Sequence, residues 1–375
     1  MFIHDSHLPQ VLTADCYYSR EHYEKELTSF FLPGWHVVGT VGDLPRDGDF
    51  LTVELFGRPL IVWRNGGQFH TFLNVCAHRF STLTHAPCGH MPTLTCQYHG
   101  WEYDEAGNTR RIPDARSFRP LHDGQVALTK FRTTTCGQVI FVALTEHAPE
   151  LSSFLGSGYE ICEELIGLSR TRVMTLDWEL EANWKVKVEN SLESYHVDTV
   201  HRRTFRTRPP AEACEHVLAD HWSLFKTNQP AVSRLHRWLD SVAYPLMGLK
   251  HNIGYEHYLF LPNLMLGRAG RSSWIEVVRP LTSTRCRLLF ALFVESSRNR
   301  NPLAMITSRI MARGAARFTR LAMSEDVAVM PGIQKGLESC QQPSTGLISI
   351  REERVFHFQR CIQAMTEAGV EGQST

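Results

Sequence analysis

Two short segments in the first third of the chain each combine a cysteine with a histidine. Cys76 and His78 are separated by one residue, and Cys96 and His99 by two. Two thiolates and two imidazoles can hold a [2Fe–2S] cluster in which histidines replace cysteines on one iron, which raises the reduction potential. A tetrahedral zinc site uses the same ligand types. Since each segment contributes one residue of each kind, whereas zinc fingers usually group like with like, the pattern favours the iron–sulfur cluster.

A second pair of histidines could bind a metal in the middle of the chain. His196 and His201 are five residues apart, so on an ideal helix their side chains would point about 140° apart. Both rings can therefore reach one metal ion only if the helix loosens or ends near His201. Two histidines, one carboxylate and open positions form the facial triad of non-haem Fe(II) oxygenases. Two ordinary surface histidines would give the same spacing.

The elements that must position these residues change character along the chain. Residues 1–34 predict a helical entry segment, because their apolar residues recur with a helical period. Residues 35–148 predict a small, mostly antiparallel β domain, whose short apolar runs are separated by glycine-containing turns. In residues 149–375 helical and strand patterns alternate, and residues 304–339 are predicted to be mainly helical.

The bulk composition is that of an ordinary globular protein. Of the 375 residues, 43% are hydrophobic and 21% are charged, and the formal net charge is zero. A neutral chain gives no electrostatic reason to expect nucleic acid or an anionic membrane as a partner. We expect no secretion signal, because the N-terminus at Met1 to Asp5 lacks a basic region followed by an apolar run. We also expect no membrane span, since no run of about 18 apolar residues occurs. Ten cysteines without the density of a disulfide scaffold favour a reduced, cytoplasmic setting.

Residues 74–103 closely resemble the Rieske domain of the ring-hydroxylating oxygenase superfamily. The family pattern is Asn-x-Cys-x-His-Arg followed by Cys-x-Tyr-His-Gly-Trp-x-Tyr, and every fixed position is present. The resemblance resumes after residue 180 with Asn-Trp-Lys, Glu-Asn and Glu-x-Tyr-His-x-x-x-x-His. It implies an α+β fold, in which an N-terminal antiparallel β Rieske domain precedes a helix-grip-like α/β catalytic domain with an antiparallel sheet. It also implies one [2Fe–2S] cluster and one Fe(II) per chain.

The same resemblance implies a carboxylate as the third iron ligand. Residues 324–336 resemble the late segment, Glu-Asp followed by Gln-x-Gly, in which the family's ligand lies. Asp326 is therefore expected to bind iron, with Glu325 as the fallback. Both acids could instead be solvated charges at a helix start, where the helix dipole favours them.

Glu193 and Asn190 are further candidates near the iron. Glu193 precedes His196 by three residues, so on a helix the two would share a face. In the family an acid at this position bridges an iron histidine to a Rieske histidine. By resemblance that histidine is His99 of the partner subunit, which implies a trimer. An ordinary helix-surface acid is the other interpretation of Glu193, and Asn190 could either hydrogen-bond near the iron or merely stabilise its helix.

The resemblance implies the terminal oxygenase of a Rieske system, with O2 and a small organic molecule as substrates and an NAD(P)H-dependent reductase as electron donor. Many relatives have aspartate where this chain has Glu193, and glutamate here resembles the branch that acts on quaternary amines. Hydroxylation or N- or O-demethylation is therefore expected, with aromatic-ring dihydroxylation as the alternative. A Rieske electron carrier is an alternative of another class, but it would not need the pair His196 and His201.

Aromatic residues that follow His201 are candidates for the substrate pocket. They could cage a quaternary ammonium group or stack on an aromatic ring, and plain core packing is the other interpretation of each. The set consists of Trp222, Phe225, Trp238, Tyr244, Tyr255, Tyr258 and Phe260.

Overall fold

The computed structural model describes residues 2–121, 125–205, 207–229, 234–250, 254–340 and 346–372. The chain forms two compact units, one of residues 32–159 and one of residues 1–31 together with 160–375. The domain boundaries expected from the sequence, after residues 34 and 148, stay a prediction. Helices and antiparallel strands are both abundant, which confirms the α+β fold class.

The N-terminal segment joins the larger unit through a buried ion pair. A short strand, β1 (Leu8–Pro9), precedes the helix α1 (Arg20–Glu26), which continues as one π-helical turn over Leu27–Phe31. Glu26 at the end of α1 is buried, and it accepts a hydrogen bond from Lys185 Nζ at 2.5 Å. A buried carboxylate is tolerated at this position because the ammonium group neutralises it.

The unit of residues 32–159 is built on antiparallel strands. These are β2 (Trp35–Thr40), β3 (Asp49–Leu55), β4 (Arg58–Asn65), β5 (Gln68–Leu73), β6 (Cys88–His90), β7 (Leu94–Thr95), β8 (Glu102–Tyr103), β9 (Thr109–Arg111), β10 (Lys130–Cys136) and β11 (Val139–Ala143). One sheet has the order β2-β11-β10-β5-β4-β3-β6, and a smaller one has the order β7-β8-β9. The helix α2 (Leu151–Leu155) follows. The Cys/His pairs lie on the loop after β5 and on the loop between β7 and β8.

The larger unit contains a seven-stranded antiparallel sheet and most of the helices. Its strands are β12 (Arg170–Leu180), β13 (Cys214–Ala219), β14 (Trp222–Thr227), β15 (Tyr255–Phe260), β16 (Leu264–Ala269), β17 (Ser272–Thr282), β18 (Arg285–Glu295) and β19 (Leu347–Ile348). The sheet order is β12-β18-β17-β16-β15-β14-β13, and β19 pairs with β1. The helices are α3 (Ser157–Leu165), α4 (Trp184–Leu192), α5 (Val197–Val200), α6 (Arg234–Leu246), α7 (Pro302–Ser339) and α8 (Glu353–Gly372). Within the described ranges, none of the helices has the length and apolarity needed to cross a lipid bilayer.

Helices α4 and α8 cover one face of this sheet, which we call the helix-covered face. Lys187 of α4 donates a hydrogen bond to Glu276 of β17, and Arg354 of α8 donates one to the Ser223 hydroxyl of β14 at 3.1 Å. Glu276 and Ser223 belong to the same cross-strand row, so their side chains point to the same side of the sheet. Every second residue along β14 and β17, counted from Ser223 and Glu276, therefore faces the helices. The residues that pair with these on β15 and β16 face them too.

The long helix α7 carries the two acids expected near the iron. It begins at Pro302, directly after Asn301, whose side chain accepts a hydrogen bond from the Ala304 amide at 2.7 Å. Glu325 and Asp326 consequently lie in the second half of a 38-residue helix. Their interpretation as helix-start charges is wrong, because the dipole acts only on the first turn.

Candidate metal centres

The two Cys/His loops have matching backbone conformations. In each loop the cysteine carbonyl accepts a hydrogen bond from the amide four residues later, since Phe80 donates to Cys76 and Gly100 to Cys96, both at 3.0 Å. Each cysteine amide also donates to the carbonyl five residues later, at 2.7 Å in the first loop and 2.8 Å in the second. Two copies of one tight turn thus present the two thiols.

The residue that closes each turn has a positive φ. The angle is 60° at Phe80 and 69° at Gly100. Glycine adopts this conformation without a steric penalty, whereas another residue bears a strain of about 1–2 kcal/mol. The Phe80 side chain is 82% exposed, so core packing within the chain does not offset this strain. Phe80 is therefore a strained aromatic residue at the tip of the first loop.

The four expected cluster ligands come together between the loops. The ring centroids of His78 and His99 are 4.8 Å apart, and both Cys76 and Cys96 are buried. Burial raises the pKa of the Cys76 thiol, and the nearby Cys96 thiol adds to the rise. His78 Nδ1 is also buried, and no described residue hydrogen-bonds to it. Because an orphaned ring nitrogen beside two buried thiols is unfavourable without a ligand, these side chains fit a [2Fe–2S] cluster.

Two aromatic residues support the cluster ligands, and the sequence analysis gave neither of them a role. The Tyr103 hydroxyl accepts a hydrogen bond from the Ala77 amide at 3.2 Å and lies 3.0 Å from Cys76 Sγ. Its own proton can therefore be donated to the sulfur, and such hydrogen bonds tune the potential of a cluster. The Trp101 ring stacks on His78 with centroids 4.7 Å apart and planes 4° apart.

The chain is irregular between the second pair of histidines, as their spacing requires. Helix α4 ends at Leu192, and Glu193 has an extended backbone with φ −129° and ψ 166°. The single-turn helix α5 then lies between His196 and His201, which flank it on either side. Both imidazoles can consequently turn towards one point, which a continuous helix would prevent.

The two histidines meet Asp326 at that point. The Nε2 atoms of His196 and His201 are 3.2 Å apart, and they lie 3.3 and 3.1 Å from Asp326 Oδ1. This oxygen is buried and makes no hydrogen bond of good geometry with the described residues. Two imidazole nitrogens and one carboxylate oxygen that converge on one point fit a single metal ion with open positions. Glu325, the fallback, contacts the other edge of His201 instead.

The electrostatics of this trio suit a cation. Burial alone would lower the pKa of His196, but the carboxylates of Asp326 and Glu193 outweigh it and raise the pKa to about 10. Asp326 in turn raises the pKa of His201 against the effect of burial. Burial would raise the pKa of Asp326, yet the two histidines hold it well below its usual range. A metal ion can supply the positive charge that these groups otherwise obtain from protons.

Glu193 contacts His196, but not for the reason that the spacing suggests. The expectation of a shared helix face is wrong, because α4 ends one residue before Glu193. The chain instead turns back, so that Glu193 Oε1 meets His196 Nδ1 while Oε2 accepts a hydrogen bond from the His196 amide at 3.2 Å. A carboxylate on Nδ1 favours the tautomer with Nε2 unprotonated, which is the form that binds a metal.

Asn190 lies on α4, and Tyr195 lies in the loop that follows this helix. The side-chain oxygen of Asn190 is buried and has no hydrogen-bond partner among the described residues, so its role near the iron stays a prediction. Tyr195 is exposed, and the Arg208 guanidinium lies 5.3 Å above its ring. It therefore stacks with a surface cation and is not part of the core.

Aromatic side chains line the helix-covered face of the sheet. Phe225 and Tyr255 lie on it, with ring centroids 5.8 Å apart, and Trp274 continues the group at 5.6 Å from Tyr255. All three keep partial exposure. The indole lies over β16, where a Cβ atom built on Gly267 would meet Trp274 at 2.2 Å. The sequence did not lead us to name Trp274 as a candidate for the substrate pocket. Its position two residues before Glu276 on β17 nevertheless indicates that the two side chains share a face.

The other aromatic candidates lie elsewhere. Trp222, Tyr258 and Phe260 group together on the opposite face of the sheet. Both remaining residues belong to α6, where Tyr244 is buried and Trp238 is exposed. Side chains alternate between the two faces along a strand, so Phe225 and Tyr255 face the helices whereas the group around Tyr258 does not.

Known proteins resemble the chain in sequence. It is 28% identical over 223 residues to the 2-aminobenzenesulfonate 2,3-dioxygenase alpha subunit of an Alcaligenes species, with 58% of this chain and 56% of that one covered. It is 30% identical over 206 residues to the glycine betaine monooxygenase oxygenase subunit of Pseudomonas aeruginosa, with 54% and 47% covered. The chain spans about half the length of the curated relatives it matches.

Solved structures share the fold along nearly the whole chain. The quaternary ammonium Rieske monooxygenase CntA, in complex with an inhibitor, superposes with a TM-score of 0.78 at 17% identity, and 95% of each chain is covered. Naphthalene 1,2-dioxygenase from a Rhodococcus species superposes with a TM-score of 0.73 at 19% identity, covering 95% of this chain and 94% of that one.

Two family models match the two parts of the chain. Residues 34–132 match the Rieske [2Fe–2S] domain, and residues 168–368 match the catalytic domain of the ring-hydroxylating alpha subunit. The first match implies a [2Fe–2S] cluster, and the second implies a mononuclear iron, for which His196, His201 and Asp326 form a site. Since the second match alone covers more than half of the sequence, the chain belongs to the family of ring-hydroxylating oxygenase alpha subunits.

Proposed function

We propose that the chain is the terminal oxygenase of a Rieske system, which takes electrons from an NAD(P)H-dependent reductase and uses O2 to hydroxylate or N- or O-demethylate a small organic substrate. The observation that carries this proposal is the convergence of His196, His201 and Asp326 on one point in a chain that also has a Rieske domain. An electron carrier would need the Rieske domain alone.

The proposal assigns a task to each ligand set. Cys76, His78, Cys96 and His99 would hold the cluster, which supplies single electrons, and the three converging side chains would hold the iron, at which O2 is reduced. Two acids present their carboxylates to the two imidazoles, so that both Nε2 atoms are kept free for the metal. The Tyr103 hydroxyl would donate a hydrogen bond to the sulfur of Cys76.

Glu193 is proposed to connect the two centres across a subunit boundary. Its Oε1 atom holds His196, and by analogy with the family a trimer would bring His99 of the partner subunit to the same carboxylate. A carboxylate between two imidazoles fixes both ring orientations and offers a short hydrogen-bonded route for an electron. The trimer belongs to this proposal.

A quaternary amine is the proposed substrate class. Phe225, Tyr255 and Trp274 present three tilted rings on the helix-covered face, a geometry that can attract an ammonium group. Glutamate at position 193 and the likeness to a glycine betaine monooxygenase point in the same direction. Ring dihydroxylation is the second candidate, because the same rings could stack on an arene and because other relatives are named toluate and benzene 1,2-dioxygenase subunits.

Iron analysis and a substrate screen test the proposal. About three irons per chain are expected for a cluster plus one iron, and about two would indicate an electron carrier. The screen combines the chain with a reductase and follows oxygen uptake and product mass for quaternary amines and aromatic acids. A gain of one oxygen or the loss of a methyl group supports the first candidate, and a gain of two oxygens supports the second.

A further inference from the structure

Glu325 contacts His201 and two residues of the segment that follows it, Arg203 and Thr204. Its Oε2 atom lies 3.2 Å from His201 Nδ1 and accepts a hydrogen bond from the Thr204 hydroxyl at 2.6 Å. Its Oε1 atom accepts a hydrogen bond from the Arg203 amide at 2.9 Å. Both oxygens of the carboxylate are therefore engaged, and neither is directed at the point where the histidines meet Asp326.

The two adjacent acids of α7 act on opposite edges of one imidazole. Asp326 Oδ1 lies 3.1 Å from His201 Nε2, whereas Glu325 approaches Nδ1. An ionised carboxylate can only accept a hydrogen bond from Nδ1–H, so in the neutral imidazole this contact leaves the lone pair on Nε2. That lone pair is the one that would bind the metal beside Asp326.

His201 needs such an anchor more than His196 does. Glu193, which holds His196, lies only three residues away in the sequence, whereas Glu325 lies 124 residues away. His201 is the residue that ends the single-turn helix α5, with φ −86° and ψ 50°. A segment that follows one helical turn has little local support, and the bonds from Arg203 and Thr204 to Glu325 attach it to the long helix α7.

We propose that Glu325 is a positioning residue for the mononuclear iron. Its carboxylate sets the tautomer of His201 and attaches residues 203–204 to α7. The inference rests on the proposed function, since it takes His196, His201 and Asp326 as the metal ligands. A carboxylate that hydrogen-bonds to the far nitrogen of a metal-binding histidine holds the ring in a fixed orientation. Loss of such a carboxylate typically weakens metal affinity by roughly 10- to 100-fold.

Cobalt titration of the cluster-loaded protein without mononuclear iron tests the inference. Co(II) reports its own ligands through its visible bands, so affinity and ligand geometry are both read without turnover. We expect Glu325→Ala to bind Co(II) roughly 10- to 100-fold more weakly than the unmodified chain and with shifted bands.

Further variants distinguish the carboxylate's contacts. Glu325→Gln, which keeps an acceptor oxygen, should recover part of the affinity, and Thr204→Val should weaken binding by a few-fold. Glu338→Gln, an exposed acid on the same helix, is the matched control and should change nothing.

The outcomes separate the inference from the proposed function. Unaltered affinity and bands in both Glu325 variants would overturn the inference while the iron site stands. Loss of binding in Glu325→Ala with full binding in Asp326→Ala would make Glu325 a ligand, which also overturns it. If the unmodified chain binds no Co(II), the iron site itself is wrong and the inference falls with it. If Glu325→Ala does not fold, the partial loss in Glu325→Gln and its band shift decide the matter.

Discussion

The Nε2 atoms of His196 and His201 lie 3.2 Å apart, although four residues separate them in a segment that begins as a helix. The break after Leu192 and the single turn of α5 make this approach possible. Two unprotonated nitrogens at this distance would repel each other, so the approach requires positive charge at this point. Either a proton on one ring or a cation bound by both rings and Asp326 supplies that charge.

Replacement of Asp326 by asparagine should remove the mononuclear iron and leave the cluster in place. The amide has the same size but lacks the negative charge that attracts the cation and stabilises positive charge on the two histidines. Total iron is expected to fall from about three to about two per chain, while the visible spectrum of the cluster stays unchanged. Asp177→Asn, at a partly exposed acid paired with Arg287, is the control. Retention of all three irons in Asp326→Asn would assign the third ligand to another residue.

Replacement of Glu193 by glutamine should leave both metal sites occupied and slow the transfer of electrons between them. Glutamine can still accept one hydrogen bond from His196, but it cannot serve as an anionic link between two imidazoles. We expect the reduced cluster to be reoxidised by O2 and substrate at least roughly tenfold more slowly, as measured by stopped-flow absorbance. A normal rate with normal iron content would remove Glu193 from the electron path.

Exchanges at the two matched turn positions should have opposite effects on stability. Phe80→Gly relieves backbone strain and should raise the free energy of unfolding by about 1 kcal/mol, after the greater flexibility of unfolded glycine is subtracted. Gly100→Ala introduces strain and should lower it by about 1–2 kcal/mol; its Cβ atom meets only Pro113 at an ordinary 3.7 Å. The measurement is the thermal loss of the cluster's visible absorbance. Equal shifts in both variants would show that φ is not the cause.

Glu353 should make the stability of the larger unit depend on acid pH. Burial alone would raise the pKa of Glu353, but hydrogen bonds from His216, His4 and the Ile3 amide outweigh it and lower the pKa to about 2. Since the folded pKa lies below the ordinary value of 4.5, the carboxylate stabilises the fold above pH 4.5, and this contribution is lost as the pH falls towards 2.

Glu353→Gln tests this dependence. At pH 7 the variant should be less stable than the unmodified chain by on the order of 2–3 kcal/mol, and the difference should shrink as the pH falls from 5 to 3.5. Glu352→Gln, at the neighbouring acid, is the control. Denaturant unfolding at several pH values measures both, and a difference that stays constant with pH would contradict the assigned cause.

The sequence was sufficient for the family and the fold class, which the family models and the abundance of helices and antiparallel strands confirm. The reason is local: the spacing within each Cys/His loop is set by one tight turn, so short-range pattern carries the information. The residue roles stay predictions that the experiments above address.

Contacts between distant segments could not be read from spacing. Glu325 reaches His201 across 124 residues, and only the fold shows that it turns away from the point that Asp326 occupies. Glu193 meets His196 through a reversal of the chain, where a helix was expected. Trp274 was missed because its partners come from neighbouring strands, and strand order is a long-range property.

The close approach of Trp274 to Gly267 has a consequence for engineering the enzyme. The indole rests on bare backbone of β16, and a single added methyl group at position 267 would displace it. A displaced ring should reduce the space beside Phe225 and Tyr255, where the substrate is proposed to bind. Substitution of Gly267 by alanine should therefore restrict the size of the molecules accepted at the proposed site, without a change to any metal ligand.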